Sequence, residues 1–377
     1  MASVSKRTRD GRTAWQARWR DPDGRQRKRS FPRRTDAERF VTGVQHSVHA
    51  GSYVDPARSR VTVGEWAERW LDGQVQLKPS TRARYEILLR RQVLPTWERV
   101  PLAKVGHADV ATWVASLSAT GLAAATIRQA HRVLSLVLTL AVRDGRIPRN
   151  PADGVPLPRA RQGERRFLTH GQVAALADAA GPYRLAVLTL AYCGLRYGEL
   201  AALRVSRVDL MRRRLDVAES VTEIGGRPSY GTPKTHQQRS VPVPRSLVDD
   251  LAVHVAGKAP SDLLFTSPDG GLLRLTNFRR RCFDRAAREV GLDGLTPHEL
   301  RHTAASLAVS AGANVKGVQR LLGHASAAMT LDVYAGLFDD DLDAVAERLD
   351  AAVSSALVPR VCPGAPVVTL AEQRAAG

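Results

Sequence analysis

Cysteine and long apolar runs are what this sequence has least of. Its three cysteines, Cys193, Cys282 and Cys362, lie too far apart for a disulfide framework or a CxxC metal knuckle. They are expected to be packing or surface thiols in a reducing compartment. The longest apolar stretches, Leu185 to Leu195 and Val133 to Val142, are too short to span a bilayer. The first residues lack the apolar core of a signal peptide, so a cytoplasmic protein without a membrane association is expected. Repeats and low-complexity tracts are absent as well. Acidic residues are scarce relative to basic ones: 37 Asp and Glu against 56 Lys and Arg leave a formal net charge of +19. Such an excess asks for a polyanionic partner, and nucleic acid is the first expectation. An anionic membrane surface is the other reading, but no segment pairs a long apolar face with a polybasic one.

At 377 residues the chain suggests two or three domains. Residues 1–58 hold fourteen Lys and Arg against six Asp and Glu. Ala14 to Arg20 alternate as a strand does, Asp21 to Gly24 are turn formers, and Arg25 to Phe31 run back, which predicts a hairpin with a basic face. Thr35 and Glu38 in capping-box spacing start a helix that runs through His49. This segment either enters a DNA groove or is a solvated basic hairpin whose Trp15 and Trp19 form a small core. Residues 60–153 carry helical spacing at Val63 to Leu71, Arg82 to Val93, Ala108 to Leu117 and Ala124 to Val142, which predicts a four-helix bundle. Ser80 and Thr81 after Pro79 offer a helix start, and Gly145, Pro148, Asn150 and Pro151 end the last helix. Val155 to Arg166 mixes proline with charge and reads as a hinge. From Phe167 the chain is again mainly helical, interrupted by short strands near 214–243. A helix is expected over Asp341 to Ala356, and an unpatterned tail from Leu357.

The chemistry-bearing residues cluster in five segments of the last part: Gly194 to Leu200 (GLRYGEL), Thr232 to Arg239 (TPKTHQQR), Thr296 to His302 (TPHELRH), Leu321 to His324 (LLGH) and Thr330 to Tyr334 (TLDVY). Here the sequence resembles the tyrosine recombinases and phage integrases. That family's scattered signature is an Arg after Gly-Leu, a Lys on a hairpin, HxxR, a His or Trp after Leu-Gly, and a Tyr shortly beyond. Arg196, Lys234, His298, Arg301, His324 and Tyr334 match it in order, and six ordered matches carry a specificity that a lone HxxR does not.

The resemblance implies a mainly α fold with small β elements. It assigns an arm-type DNA-binding domain of a small β-sheet plus helix to 1–58 and a helical core-binding (SAM-like) domain to 60–153. A mixed α+β catalytic domain follows at 165–356, with a C-terminal tail at 357–377. It implies a site-specific recombinase that cuts and rejoins double-stranded DNA at attachment sites through a 3′ phosphotyrosine, integrating or excising a mobile element without metal, nucleotide or other cofactor. A homotetramer on DNA is implied, and an excision factor or a host DNA-bending protein are candidate partners.

These residue types suit that chemistry. Attack on a phosphodiester puts charge on its non-bridging oxygens, so Arg196 and Arg301 are expected as a guanidinium clamp. A phenol with a pKa of about 10 needs a base or a positive field to attack, which His298 and the arginines are expected to supply to Tyr334. Lys234 is expected to protonate the leaving 5′ oxygen, with Arg227 and Arg239 as competitors on the same hairpin. His324 would position Tyr334 and bind a phosphate oxygen. Glu199 either orients Arg196 or is an ordinary carboxylate at a helix start. His302, next to Arg301, either adds a supporting contact behind the site or is a satisfied structural histidine. Residues 298–302 also spell HExxH, a zinc-protease pattern, but that reading leaves Arg196, Lys234, Tyr334 and the basic excess unexplained. A topoisomerase of similar chemistry and a DNA-binding regulator that no longer cuts are the remaining alternatives.

Overall fold

The computed structural model describes residues 2–9, 12–22, 24–49, 53, 60–159, 165–233, 238–337, 346–347 and 349–354. It divides into two compact units, Met1–Glu164 with Glu223–Ser229, and Arg165–Thr222 with Tyr230–Gly377.

The first unit begins with an antiparallel sheet of β1 (Ser3–Arg9), β2 (Arg12–Arg20) and β3 (Gln26–Phe31), in that order. The sequence pattern gave the β2–β3 hairpin, and the third strand comes from β1, where Lys6 pairs with Trp15. Helix α1 (Arg34–His49) covers one face and buries Ala37, Val41 and Val44. Alternation along β2 sends Trp15, Ala17 and Trp19 to that covered face. Trp19 meets Phe40 edge-on at 5.1 Å and donates to Tyr53 Oη at 2.8 Å. Both tryptophans therefore serve the small core. The register puts Ser3, Arg18 and Lys28 in line, and Ser5, Gln16 and Ser30 in the next row. Arg7, Arg18, Arg20 and Lys28 thus share the face away from α1.

The helical bundle has its own apolar cluster. Helix α2 (Val63–Asp72) opens with a capping box, in which Thr62 Oγ1 accepts from Glu65 N at 3.2 Å and Glu65 Oε2 accepts from Thr62 N at 3.0 Å. Helix α3 (Pro79–Leu88) starts on Pro79 at its first turn, with no side-chain cap. The fixed proline φ does what Ser80 and Thr81 were expected to do. A π-turn at Leu89–Val93 leads into α4 (Leu94–Trp97), followed by α5 (His107–Ala119) and α6 (Ala124–Arg143). Trp66, Trp70, Trp97 and Trp113 are each at most 5% exposed, so indoles fill much of this core. After α6, Asn150 Nδ2 donates to Ser135 O, Ser135 Oγ and Thr139 Oγ1, which pins the chain back on that helix. Val155, read as the start of the hinge, is buried in the bundle core.

The second unit is built around α8 (Arg184–Cys193), which is apolar on nearly every side and therefore central. It packs against α7 (His170–Ala179) and, farther along the chain, α13 (Pro297–Ser310). Short α9 (Tyr197–Ala202) leads to an antiparallel sheet of β4 (Val208–Asp209), β5 (Arg214–Val217) and β8 (Arg239–Pro242). Between β5 and β8 along the chain comes the hairpin of β6 (Ser220–Ile224) and β7 (Arg227–Gly231), of which Glu223–Ser229 are grouped with the first unit. Helices α10 (Val248–Val255), α11 (Leu275–Phe278) and α12 (Asp284–Glu289) complete the core. Helices α14 (Val315–Leu322) and α15 (Ala327–Tyr334) pack with α13 in a smaller cluster around Tyr334. Cys193 and Cys282 are buried packing thiols. Cys362, the tail from Leu357 and much of the helix expected at Asp341 to Ala356 lie outside the described residues, although 349–354 are helical.

Candidate active site

Arg196 is the N-cap of α9, and Glu199 reaches back to it in two ways. One carboxylate oxygen accepts from Arg196 N and the other from Arg196 Nη1, each at 2.9 Å. Both readings of Glu199 are therefore met at once: it caps the helix start and it orients the guanidinium. A third partner was not foreseen. Arg239, at the head of β8, donates Nη1 to Glu199 Oε1 at 3.0 Å and Nη2 to Glu199 Oε2 at 2.6 Å, while its Nε donates to Leu321 O. Glu199 is 1% exposed. Burial alone would raise its carboxyl pKa, but Arg239 and then Arg196 outweigh burial and hold it below the usual carboxylate range. Arg239 is thus consumed in organising the site and is no competitor for the role of a mobile acid. Gly198 is required by close approach: a Cβ there would fall 2.5 Å from Val221 O on β6.

Arg301, in the first half of α13, is 2% exposed. Its Nη1 donates to Gly194 O, at the C-cap of α8, and its Nη2 donates to Leu322 O, the last residue of α14. Two helix C-termini with unpaired carbonyls and the negative end of the helix dipole make a buried guanidinium tolerable there. Burial, and then the charge of Arg196, push Arg301 down to about 9, which leaves it cationic at neutral pH.

Helix α14 ends at Gly323 in the left-handed region, φ +62, and a Cβ there would lie 2.8 Å from Arg239 Cδ. The turn that follows carries His324, held by His324 N donating to Gln319 O and by Gln319 Nε2 donating to His324 O. His324 Nδ1 pairs with Thr330 Oγ1 at 3.0 Å, and its ring lies parallel to that of Tyr334 at 6.4 Å. Burial, then Arg301 and Arg196, lower its pKa to about 4.

Tyr334 is the last residue of α15 and is 2% exposed. Its hydroxyl is hydrogen-bonded to His302 Nδ1 at 2.7 Å. Of the two histidines of α13, His302, one turn beyond His298 at i+4, is the one aimed at α15. His298 is exposed, and its ring meets that of His302 at 5.1 Å. Burial first, then His298, Arg165 and Arg301, lower the His302 pKa to about 4, so its imidazole is neutral at pH 7. Burial raises the Tyr334 phenol to about 12 against the opposing pull of Arg301 and Arg165. Arg165 also donates Nη1 to Val333 O at 2.9 Å, and the Phe167 ring lies 6.5 Å from that of Tyr334.

Four of the six residues expected at the site, Arg196, Arg301, His324 and Tyr334, are therefore joined with Glu199, Arg239 and His302 by hydrogen bonds and ring contacts around the meeting of α9, α13, α14 and α15. His298 stands one helical turn away. Lys234 lies outside the described residues. The HExxH carboxylate is engaged elsewhere: Glu299 accepts from Thr296 N and pairs with Arg166 Nε.

The Phage integrase family model matches residues 166–340. A prophage phiRv2 integrase of Mycobacterium tuberculosis is 31% identical over 333 residues, covering 84% of this chain and 87% of that protein. The chain belongs to the phage integrase family. Its match to this family of tyrosine recombinases extends to the integrase of Mycobacterium phage L5, 27% identical over 318 residues, covering 80% of this chain and 84% of the phage protein. Among solved structures, the integrase fold here is similar to the Tn1549 transposon integrase in complex with transposon right end DNA. That likeness has a TM-score of 0.67 at 23% identity, covering 77% of this chain and all of that one. A lambda integrase tetramer bound to a Holliday junction gives 0.57 at 21% identity, covering 85% and 95%.

Proposed function

We propose that this chain is a site-specific DNA recombinase that cleaves and rejoins strands through a 3′ phosphotyrosine at Tyr334, integrating or excising a mobile element. The observation that carries the reading is the convergence of Arg301 and His302 from α13 and His324 from the α14–α15 turn on one buried tyrosine at the end of α15, its hydroxyl bonded to His302 and its ring parallel to His324.

The scissile phosphate is an anion, and its non-bridging oxygens gain charge as Tyr334 attacks. Arg196, fixed by Glu199, and Arg301, fixed by two carbonyls, offer that charge donors whose orientation is set before the reaction. His298 and His324 add hydrogen bonds to the same oxygens. The Tyr334 Oη–P bond forms as the P–O5′ bond breaks, and Lys234 delivers the proton to the 5′ oxygen. The phosphodiester energy stays in the phosphotyrosine, so rejoining by a 5′ hydroxyl needs no nucleotide. With 2% of Tyr334 exposed, α15 has to shift when a phosphate enters.

Residues 1–58 act as the arm-binding domain, 60–153 as the core-binding domain and 165–356 as the catalytic domain. The basic sheet face of Arg7, Arg18, Arg20 and Lys28 supports the first of these, because a small sheet presenting such a face fits a DNA groove. Exchange between two duplexes takes four tyrosines, hence a homotetramer on DNA, with an excision factor or host bending protein setting direction. The work is done in the cytoplasm, where the DNA is.

Purified protein incubated in EDTA with DNA flanking its own gene, nicked to trap the intermediate, is expected to give a covalent adduct on a denaturing gel. Tyr334→Phe is expected to bind that DNA and give none. Binding without an adduct by the wild type would make the chain a regulator instead.

A further inference from the structure

We propose that His302 is the base that takes the Tyr334 proton during cleavage, the histidine one helical turn beyond the HxxR histidine having the contact with the nucleophile. The inference rests on the reading of Tyr334 as nucleophile.

Tyr334 Oη and His302 Nδ1 are 2.7 Å apart, inside the range at which a general base works, and the proposed role assigns the neutral imidazole the tautomer in which Nδ1 accepts from the phenol. In a neutral imidazole that accepts at Nδ1 the remaining proton sits on Nε2. The ring is fixed by its surroundings: His298 packs edge-on against it at 5.1 Å and Tyr334 lies against it at 5.7 Å. His302 is adjacent to Arg301 in α13, so the residue that clamps the phosphate and the residue that touches the nucleophile move as one.

The electrostatics point the same way. The groups that act on His302 are His298, Arg301 and Glu299 on α13, and Arg165 before α7; its partner Tyr334 is on α15 and His324 on the turn before it. Burial first, and then His298, Arg165 and Arg301, keep the imidazole neutral, as an acceptor must be, and Arg301 and Arg165 favour the phenolate against the burial that disfavours it. Arg165 fixes the end of α15 as well, through Val333 O. A DNA phosphate entering between Arg196 and Arg301 offsets their positive field. That raises the basicity of His302 at the moment its partner is to lose a proton. The step balances: the proton passes from Tyr334 Oη to His302 Nδ1, the Oη–P bond forms, the P–O5′ bond breaks, and the 5′ oxygen takes its proton from Lys234.

The test uses the full chain and two nicked substrates, one with an ordinary 5′ oxygen leaving group and one with a 5′ bridging sulfur, which leaves without a proton. His302→Asn retains a hydrogen-bonding group near the Nδ1 position but cannot take the proton. It is expected to form adduct about 10²- to 10⁴-fold more slowly on both substrates, with DNA binding unchanged. Its rate is expected to rise about tenfold per pH unit as hydroxide replaces the base. A wild-type or faster rate in His302→Asn would overturn the proposal and make His302 a restraint on the resting tyrosine. Recovery on the sulfur substrate would overturn it in favour of leaving-group protonation. If the Asn variant does not fold, His302→Ala with added imidazole replaces it: recovery in proportion to imidazole supports the base, and none overturns it. Tyr334→Phe run alongside separates the two ideas, since an adduct in that variant sinks the nucleophile assignment itself.

Discussion

Replacing Glu199 with Gln changes one atom and leaves two guanidiniums without their shared counter-ion. Glu199 is 1% exposed and accepts from Arg196 N, Arg196 Nη1, Arg239 Nη1 and Arg239 Nη2. Breaking a buried ion pair on one side costs about 3–5 kcal/mol, because the remaining charge stays buried and unpaired. For a unit of this size each kcal/mol moves the melting temperature by about 2–4 °C, so the catalytic unit is expected to melt roughly 6–20 °C lower. Calorimetry of the full chain in matched buffers reads this directly. The internal control is Glu38→Gln, which breaks the Arg34–Glu38 pair of side chains 64% and 47% exposed. An exposed helix pair of this kind is worth about 0.3–0.5 kcal/mol, so little shift is expected. If Glu199→Gln melts within about 2 °C of wild type, the buried carboxylate is not what holds Arg196 and Arg239, and the reasoning fails.

Gly323→Ala is expected to destabilise the unit by about 1–2 kcal/mol, the cost of a left-handed backbone with a Cβ, and to slow cleavage by displacing Arg239; an unchanged denaturant midpoint and rate would contradict this. Stability should fall on acidification through two sets of groups. His302 and His324, with folded pKa values of about 4 against an unfolded value of about 6.5, stay neutral in the fold while the unfolded chain gains protons. Their contribution is complete above about pH 6.5 and lost progressively toward pH 4. Glu199, held below the usual carboxylate range, adds a loss at still lower pH. Melting curves that are flat from pH 7 to 5, or unchanged in slope by His324→Gln, would refute the histidine part. Affinity for DNA is expected to fall by about three to five orders of magnitude between 50 and 200 mM salt if six to ten phosphates are contacted, and a salt-independent dissociation constant would contradict the basic surfaces proposed for binding.

Much of this architecture is legible because it is local. The alternation of Trp15, Ala17 and Trp19 and the turn at Asp21 to Gly24 give the hairpin, and four apolar stripes give the bundle. The ordered motifs give Arg196, Arg301, His324 and Tyr334: Arg196 and His324 stand at helix ends marked by Gly-Leu and Leu-Gly, Arg301 lies in the second turn after Thr-Pro, and Tyr334 closes α15. What escaped is contact between segments distant in the chain. Arg239 reads as one more arginine on a hairpin, and nothing near it in sequence announces that it closes on Glu199, forty residues earlier. His302 reads as a neighbour of Arg301, and only the packing of α15 on α13 shows that it touches Tyr334. A histidine beside the motif arginine and a tyrosine 32 residues on was the available signal, and it needed the helix directions to become a contact. The strand β1 escaped because SVSKRTR has little apolar alternation, its pairing partner being what makes it a strand.

The central claim is that DNA becomes joined to Tyr334. Digesting the trapped adduct with nuclease and protease and sequencing the nucleotide-bearing peptide by mass spectrometry tests it most directly. The nucleotide is expected on Tyr334, attached through its 3′ phosphate and formed in EDTA. A nucleotide on any other residue, or a 5′ linkage, would contradict it.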